Sequence, residues 1–116
     1  MSAVITLKSR FDFDRVYQNG RSYANRLLIM YVMPNGTTSD RYGLVVSKKV
    51  GNSVVRHRIR RLIKECFRLH ISEWADRDYI VAARKEAVGK SFREVEAALL
   101  HLGKKNSVYL QQGENE

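Results

Sequence analysis

The longest regular pattern of apolar and polar positions runs from Val54 to His70 and is helical, because at about 100° per residue its side chains divide into two faces. The apolar face holds Val55, Ile59, Leu62, Ile63, Cys66 and Leu69. The opposite face holds His57, Arg60, Arg61, Lys64 and Arg68, with Arg56 and Arg58 on the flanks. Ahead of the helix, Gly51 allows a sharp turn, and Asn52 or Ser53 can cap it. We expect one side to pack on a sheet and the other to hold cations in water.

Two shorter amphipathic helices flank this central one. The first begins at Ser9, a capping residue, runs through Tyr17 and ends at Asn19-Gly20. Its Phe13, Val16 and Tyr17 share one face, which is either core or a partly open aromatic surface. The last helix begins with the capping box Ser91 to Glu94, and Val95, Ala98, Leu99 and Leu102 then repeat at helical spacing up to Gly103. Lys104 and Lys105 suit the negative end of that helix.

Three strands are predicted between the helices. The segment from Ser22 to Met33 is rich in β-forming residues, with a break near Ala24-Asn25-Arg26, and Tyr42 to Ser47 follows a turn at 34–40. We expect these two segments to form an antiparallel hairpin. Tyr79 to Ala83 is nearly all apolar, which is typical of a central strand or one covered on both faces. The order strand, helix, strand adds a crossover unit to the hairpin.

The length favours one domain, 1–116, with a polar tail at 110–116 that we expect to be flexible. The net charge of +9 is concentrated between Lys48 and Arg68, which hold eight cations and the single acid Glu65. Like charges at helical spacing repel one another, so folding alone gives no reason for them. A solvated face without a partner usually mixes signs, and the pattern therefore favours a nucleic acid or another polyanion as partner.

Other classes of function receive little support. No apolar run approaches the ~20 residues that span a bilayer, and residues 1–10 lack the features of a secretory signal, so we expect a cytoplasmic protein. Cys66 lies on the apolar helix face, which predicts a buried structural thiol rather than a nucleophile. His57, His70 and His101 have no cysteines at zinc-site spacing, so no metal site in the protein is predicted.

The segment SKKVGNSVVRHRIRRLIKE, from Ser47 to Glu65, resembles the signature of the bacterial ribonuclease P protein subunit. The resemblance extends to 13–20, 24–26, 78–85 and 102–109, and so covers most of the chain. It implies a single-domain α+β sandwich of order α-β-β-β-α-β-α, with a four-stranded sheet and a left-handed βαβ crossover, similar to a domain of a small-subunit ribosomal protein. The handedness contradicts the general rule for such crossovers.

The same resemblance implies an accessory subunit of a ribonucleoprotein endonuclease that removes the 5′ leader from precursor tRNA. Its partners are the ribonuclease P RNA, which is catalytic and holds the Mg²⁺ ions, and the precursor tRNA, with one protein per RNA. No catalytic residue and no metal ligand is then expected in the protein, and no membrane is involved.

Two RNA-binding surfaces carry over from the resemblance. The surface for the catalytic RNA falls on Lys48, Arg56, His57, Arg58, Arg61, Lys64 and Arg68, to which the charge pattern adds Arg60. The cleft for the single-stranded leader falls on Phe13, Tyr17, Lys49, Ala83 and Tyr109. Aromatic faces beside a lysine suit an unpaired strand, because any base can stack and phosphate needs only a cation. This chain has His57 where the family usually has asparagine, and a histidine lacks an amide's paired donor and acceptor.

Three other hypotheses compete with this one. A DNA-binding regulator would insert the basic helix into the major groove, but no dimer-forming heptads are present. A ribosomal-type structural protein would have similar charge. A basic helix lying on an anionic membrane would need the apolar face that the sheet is expected to cover.

Overall fold

The structure is a computed structural model that describes residues 5–7, 9–35, 41–70, 73–75 and 77–106. Its helices are α1 (Arg10–Asn19), α2 (Ser53–His70) and α3 (Phe92–Lys105), with a short 3₁₀ turn at Lys85–Ala87. Its strands are β1 (Ile5–Thr6), β2 (Arg21–Ala24), β3 (Leu28–Pro34), β4 (Arg41–Val45) and β5 (Arg77–Ala83). The predicted α-β-β-β-α-β-α order with four principal strands is confirmed, and the two-residue β1 adds a short edge. The tail at 110–116 and part of the 34–40 turn lie outside the described residues.

The sheet order is β1-β4-β5-β3-β2, which corrects one prediction. β3 and β4 do not form a hairpin, because β5 lies between them, antiparallel to β3 and parallel to β4. The observed hairpin is β2–β3, folded at the predicted break after Ala24. The most apolar strand takes the centre, where both of its faces are covered, as its sequence predicted. Since β4 and β5 are parallel neighbours joined through α2, the predicted crossover is present, and its left-handed sense stays a prediction.

Each face of the sheet carries its own core. The larger core lies between the sheet and the helices α2 and α3, and the smaller one lies between the sheet and α1, where Val16 and Ile80 are fully buried. In α2 the predicted apolar face is correct except at its end. Phe67 is buried and stacks on Tyr42 at 4.9 Å between ring centroids, whereas Leu69 is 47% exposed. The ring of Phe67 is larger than the side chain of Leu69, and it takes the buried position. Tyr79 and the buried Trp74 also contact this ring.

The three helix starts follow their sequence signals. The Ser9 hydroxyl oxygen accepts a hydrogen bond from the Asp12 backbone N–H at 3.0 Å, and the Asn52 side chain does the same for Val55. Ser91 and Glu94 form the complete capping box. These local bonds satisfy amides that have no partner within the helix.

The buried carboxylate of Asp78 joins α1 to the sheet. It accepts two hydrogen bonds from Arg41 of β4, at 2.8 and 2.7 Å, one from Arg15 of α1 at 2.8 Å and one from Asn35 at 2.9 Å. Burial alone would raise the pKa of Asp78, but these hydrogen bonds and the two guanidinium charges outweigh it and lower the pKa. The carboxylate is therefore charged at neutral pH and, through Arg15, fixes the middle of α1 against β4 and β5.

Replacing Asp78 by Asn is expected to lower the free energy of unfolding at pH 7 by about 3 kcal/mol, because two guanidinium groups lose their buried counter-charge. The folded-state pKa is lowered, so the wild-type contribution is present above the ordinary carboxyl pKa of about 3.9 and is lost as the pH falls further. Urea unfolding should show the gap between wild type and variant narrowing below about pH 4. The control is Asp14→Asn, whose exposed pair with Arg10 at 4.0 Å should cost less than about 1 kcal/mol. Equal losses in the two variants would contradict this account.

Candidate nucleic-acid interface

The outward face of α2 is a continuous cationic surface. Since Ile59, Ile63, Cys66 and Phe67 are buried, helical geometry turns the intervening residues to solvent. The side chains of His57, Arg60, Arg61 and Lys64 are exposed. Within the described residues, none of these four forms a hydrogen bond or an ion pair. The three cations and the imidazole of His57 are therefore available to a partner, as the sequence predicted.

Three arginines of α2 have contacts inside the protein. Arg56 Nε donates to the Gly51 carbonyl oxygen at 3.1 Å, and Arg58 Nη2 donates to that of Lys90 at 3.2 Å. Both keep their full charge, since a carbonyl does not neutralise it. Arg68 is different, because it makes a two-bond ion pair with Glu65, at 3.1 and 2.5 Å. That hydrogen bonding raises the pKa of Arg68 and lowers that of Glu65. Arg68 is thus the least available cation of this surface.

Lys48 and Lys49 lie in the turn between β4 and α2, and both are exposed. The turn is closed by a hydrogen bond from the Val50 N–H to the Ser47 carbonyl oxygen at 3.0 Å. The end of β4 therefore delivers two further cations to the start of the α2 surface, as predicted.

Two aromatic residues of α1, Phe13 and Tyr17, lie against the sheet on its other side. Tyr17 makes an edge-to-face contact with Tyr31 of β3 at 4.8 Å between centroids, and Phe13 lies 6.3 Å from Tyr17. Tyr17 remains 38% exposed, so the stripe is neither pure core nor fully open. Burial, with smaller effects from Tyr31 and Asp14, raises the pKa of Tyr17, whose hydroxyl is therefore neutral and can donate. We call Phe13, Tyr17 and Tyr31 the leader face, after the RNA segment that the sequence resemblance predicts for the cleft beside α1.

Tyr31 was missed by the sequence reasoning, which took its segment only as a strand. Its signal is the period of two, because Tyr31 shares a sheet face with Met33 and with Ile80 of β5, beneath α1. That signal can be used only when the position of α1 on the sheet is known.

Gly43 allows Phe13 to reach the sheet. A Cβ at Gly43 would lie 2.5 Å from Cζ of Phe13 and 2.8 Å from its Cε1, closer than carbon atoms can approach. The ring therefore packs directly on the backbone of β4. Any side chain at Gly43 would displace the ring and change the width of the cleft.

Two members of the predicted cleft are not brought to the leader face. Ala83 pairs with Leu28 and packs on the larger core, on the opposite side of the sheet. Because neighbouring strand residues point to opposite faces, Ala82, which pairs with Ile29, takes the position expected for Ala83. The one-residue shift follows from the strand register, which the sequence did not define. Tyr109 lies outside the described residues.

The cationic surface and the leader face meet in one groove of about 330 Å³. Phe13 of α1 lines it together with four residues of α2, and the remaining lining comes from β4 and the segment after β1. The full lining is Leu7, Phe13, Tyr42, Leu44, His57, Arg60, Arg61 and Lys64. The sequence predicted two surfaces, and the fold makes them adjacent.

Several other chemistries find no support in the described parts of the chain. Cys66 is fully buried, and burial together with the charges of Glu96 and Glu65 raises the pKa of its thiol to about 12, as expected of a structural thiol. Among the described residues, no group of three or more histidine, cysteine, aspartate or glutamate side chains is placed to hold a metal ion. No helix in those ranges is long and apolar enough to cross a membrane.

A family model described as Ribonuclease P matches residues 1–107. The chain belongs to the ribonuclease P protein family. It is 47% identical over 104 residues to the "Ribonuclease P protein component" of Lachnoclostridium phytofermentans, covering 89% of this chain and 90% of that protein. With the protein of the same name from Alkaliphilus metalliredigens the identity is 48% over 100 residues, covering 85% and 90%.

Solved ribonuclease P proteins have the same fold. The Staphylococcus aureus protein matches with a TM-score of 0.85 at 37% identity, over 90% of this chain and 97% of that one. The Thermotoga maritima protein matches with a TM-score of 0.79 at 28% identity, over 86% and 96%. As a member of this family, the chain is an RNA-binding component of an endoribonuclease complex that acts in tRNA processing. Family membership also implies ribonuclease P RNA as its partner. The resemblance found in the sequence is confirmed.

Proposed function

We propose that this ribonuclease P protein binds two RNAs through adjoining surfaces and thereby promotes removal of the 5′ leader from precursor tRNA. The α2 surface binds the RNA subunit and the leader face binds the single-stranded leader. The observation that carries the proposal is the shared groove, in which the ring of Phe13 and the unpaired cations of Arg60, Arg61 and Lys64 line one space. An RNA subunit held on α2 and a leader held on α1 would lie side by side.

Each surface has the chemistry that its RNA requires. The guanidinium and ammonium groups of α2 can contact the phosphates of a folded RNA, with counterion release as the source of affinity. Tyr17 and Tyr31 offer aromatic edges and faces to unpaired bases of any sequence. Lys49, which lies in the exposed turn before α2, is the cation that the proposal assigns to a leader phosphate. His57 offers one ring nitrogen as donor and the other as acceptor in place of an amide.

The division of labour in this proposal leaves bond cleavage to the RNA. In this proposal the RNA subunit would hold most of the Mg²⁺, and the chemistry that the ion would supply is activation of water for attack on the phosphodiester. The protein positions the leader and lowers the repulsion between two polyanions. We propose one protein per RNA subunit.

Reconstitution tests this division. Added to a bacterial ribonuclease P RNA, the purified protein should lower the Mg²⁺ concentration needed for cleavage of a 5′-extended precursor, because its cations replace part of the counter-charge. The measurement is single-turnover cleavage against Mg²⁺ concentration, with RNA alone and protein alone as controls. Cleavage by the protein alone would place the catalytic centre in the protein and refute the proposal.

Replacing Arg61 and Lys64 together by Ala should weaken assembly with the RNA subunit and make its salt dependence shallower. The slope of log K against log salt should decrease by roughly 1 for each lost phosphate contact. The matched control is Arg10→Ala with Arg93→Ala, which removes the same charge from exposed positions outside α2. Arg68→Ala should change the slope less than Arg61→Ala, because Glu65 already neutralises Arg68. Identical slopes in all variants would show that α2 does not contact phosphate.

Replacing Tyr17 by Ala should weaken holoenzyme binding of leader-bearing precursor by about 1–3 kcal/mol and leave mature tRNA unaffected, since only the precursor has bases to stack. The measurement is the dissociation constant for both RNAs at one salt concentration. The control is Phe11→Ala, which removes a 74% exposed ring from the same helix. If both RNAs lost affinity equally, Tyr17 would act through packing of α1 and not through the leader.

A further inference from the structure

A second cationic strip follows the β2 edge of the sheet. β2 is the outermost strand, and all four of its residues are exposed. Arg21 pairs with Val32 and Tyr23 with Met30, two residues of the larger core, so Arg21 and Tyr23 point to the α3 side. Ser22 and Ala24 alternate with them and point to the α1 side.

The last turns of α3 complete this strip. Lys105 Nζ lies 5.8 Å from the centre of the Tyr23 ring, a cation–π contact that holds the ammonium group beside the strand. One turn earlier, His101 Nδ1 lies 3.2 Å from the Asn25 side-chain nitrogen. Asn25 also donates to the Ala98 carbonyl oxygen at 2.9 Å, so the β2–β3 turn that carries Arg26 is fixed on α3. The edge strip consists of Arg21, Tyr23, Arg26, His101 and Lys105.

The charges of the edge strip are not neutralised by the protein. Arg21, Arg26 and Lys105 are exposed, and none of them forms an ion pair with an acid in the described ranges. The strip is also separate from the α2 surface, since α3 packs on α2 as well as on β2 and β3. The edge strip is thus a second set of cations that favours a polyanion. It also contains the ring of Tyr23, which is 39% exposed.

The edge strip adjoins the leader face across a single strand. Ser22 pairs with Tyr31, and Tyr31 is in ring contact with Tyr17. Strands are spaced about 4.8 Å apart, so an extended chain that leaves Tyr31 over Ser22 reaches the other side of β2 within a short step. There it meets Arg21 and Tyr23.

We propose that the 5′ portion of the leader, beyond the segment on the leader face, crosses the β2 edge and places its phosphates on Arg21, Arg26 and Lys105. This inference rests on the proposed leader binding. A row of separate cations, contributed by β2, the β2–β3 turn and the end of α3, suits an unpaired RNA strand, whose phosphates follow one another in a single row.

Leader length tests the inference directly. The holoenzyme is assembled with the double variant Arg21→Gln/Lys105→Gln and titrated with precursors whose leaders increase in length from a few nucleotides. Short leaders should bind as to wild type. Above a threshold length, wild type should gain affinity that the variant lacks. With these long leaders the slope of log K against log salt should be steeper for wild type than for the variant, by roughly 0.7 per cation. The control is Arg93→Gln, which removes an exposed cation from α3, the helix that also carries Lys105. This variant should match wild type at every leader length.

The outcomes separate the inference from the proposed function. If the double variant equals wild type at all lengths, or loses affinity equally at all lengths, the edge contact is overturned. The proposed leader binding then stands, provided that Tyr17→Ala still weakens binding of short leaders. If Tyr17→Ala has no effect either, both fail. The substituted side chains are exposed, so equal thermal unfolding of variant and wild type verifies the comparison.

A tethered cleavage reagent gives a second readout. A cysteine introduced by Ser22→Cys would be the reactive thiol among the described residues, because Cys66 is buried with its pKa raised to about 12. An iron chelate attached there should cut a long leader in its 5′ portion. Cuts confined to the RNA subunit, or no cuts, would overturn the inference.

Discussion

The position of β5 is the constraint on which the rest of the structure depends. Tyr79, Ile80 and Val81 are fully buried, with Ile80 on one face of the sheet and its two neighbours on the other. Both faces must therefore be covered, and the helices divide accordingly, with α2 and α3 on one side and α1 on the other. Two helices bury the larger core on their side, whereas the single ten-residue α1 buries only a smaller core on the other. The part of the sheet that α1 leaves open is where Tyr17 and Tyr31 reach solvent, so the candidate cleft is a consequence of uneven covering.

The same arrangement explains how the charges are distributed. Where α1 meets the sheet, buried Asp78 is neutralised by Arg15 and Arg41, and acid and base are matched inside the fold. On α2 the apolar side is used for packing, and its cations are left outside with Glu65 as their single acidic neighbour in the helix. Pairing stabilises the scaffold, and the lack of pairing within the described ranges leaves four side chains for the RNA that the proposed function assigns to α2. The paired charges around Asp78 and the exposed cations of α2 therefore have different roles, which the net charge alone does not reveal.

Local signals were enough to predict the helices, their caps and the strand segments, because capping residues and apolar periodicity act over a few neighbours. The pairing of strands was not predictable in the same way. A hairpin between β3 and β4, which are neighbours in the sequence, is the simplest interpretation. It leaves out β5, the most apolar strand, whose side chains are best shielded from water at the centre of the sheet between β3 and β4. The α2 cations could be identified from the sequence, since helical geometry alone separates Arg61 from Ile63. The cleft could not, because Ala82 and Ala83 differ only in register, and Tyr31 joins Tyr17 only when α1 is placed on the sheet.

The contact between α1 and β4 links the scaffold to both surfaces. Phe13 packs on the backbone at Gly43 and also lines the groove beside the α2 cations. The preceding residue, Asp12, approaches Arg41 at 3.8 Å, so the start of α1 is held by charge as well as by packing. A shift of α1 would move Phe13 and Tyr17 together, because a helix moves as a rigid element, while α2 would stay on its own core. The width of the groove between the two proposed RNA surfaces is therefore set by how firmly α1 is held. On the proposed function, the buried Asp78 network would be part of the recognition geometry although Asp78 does not line the groove.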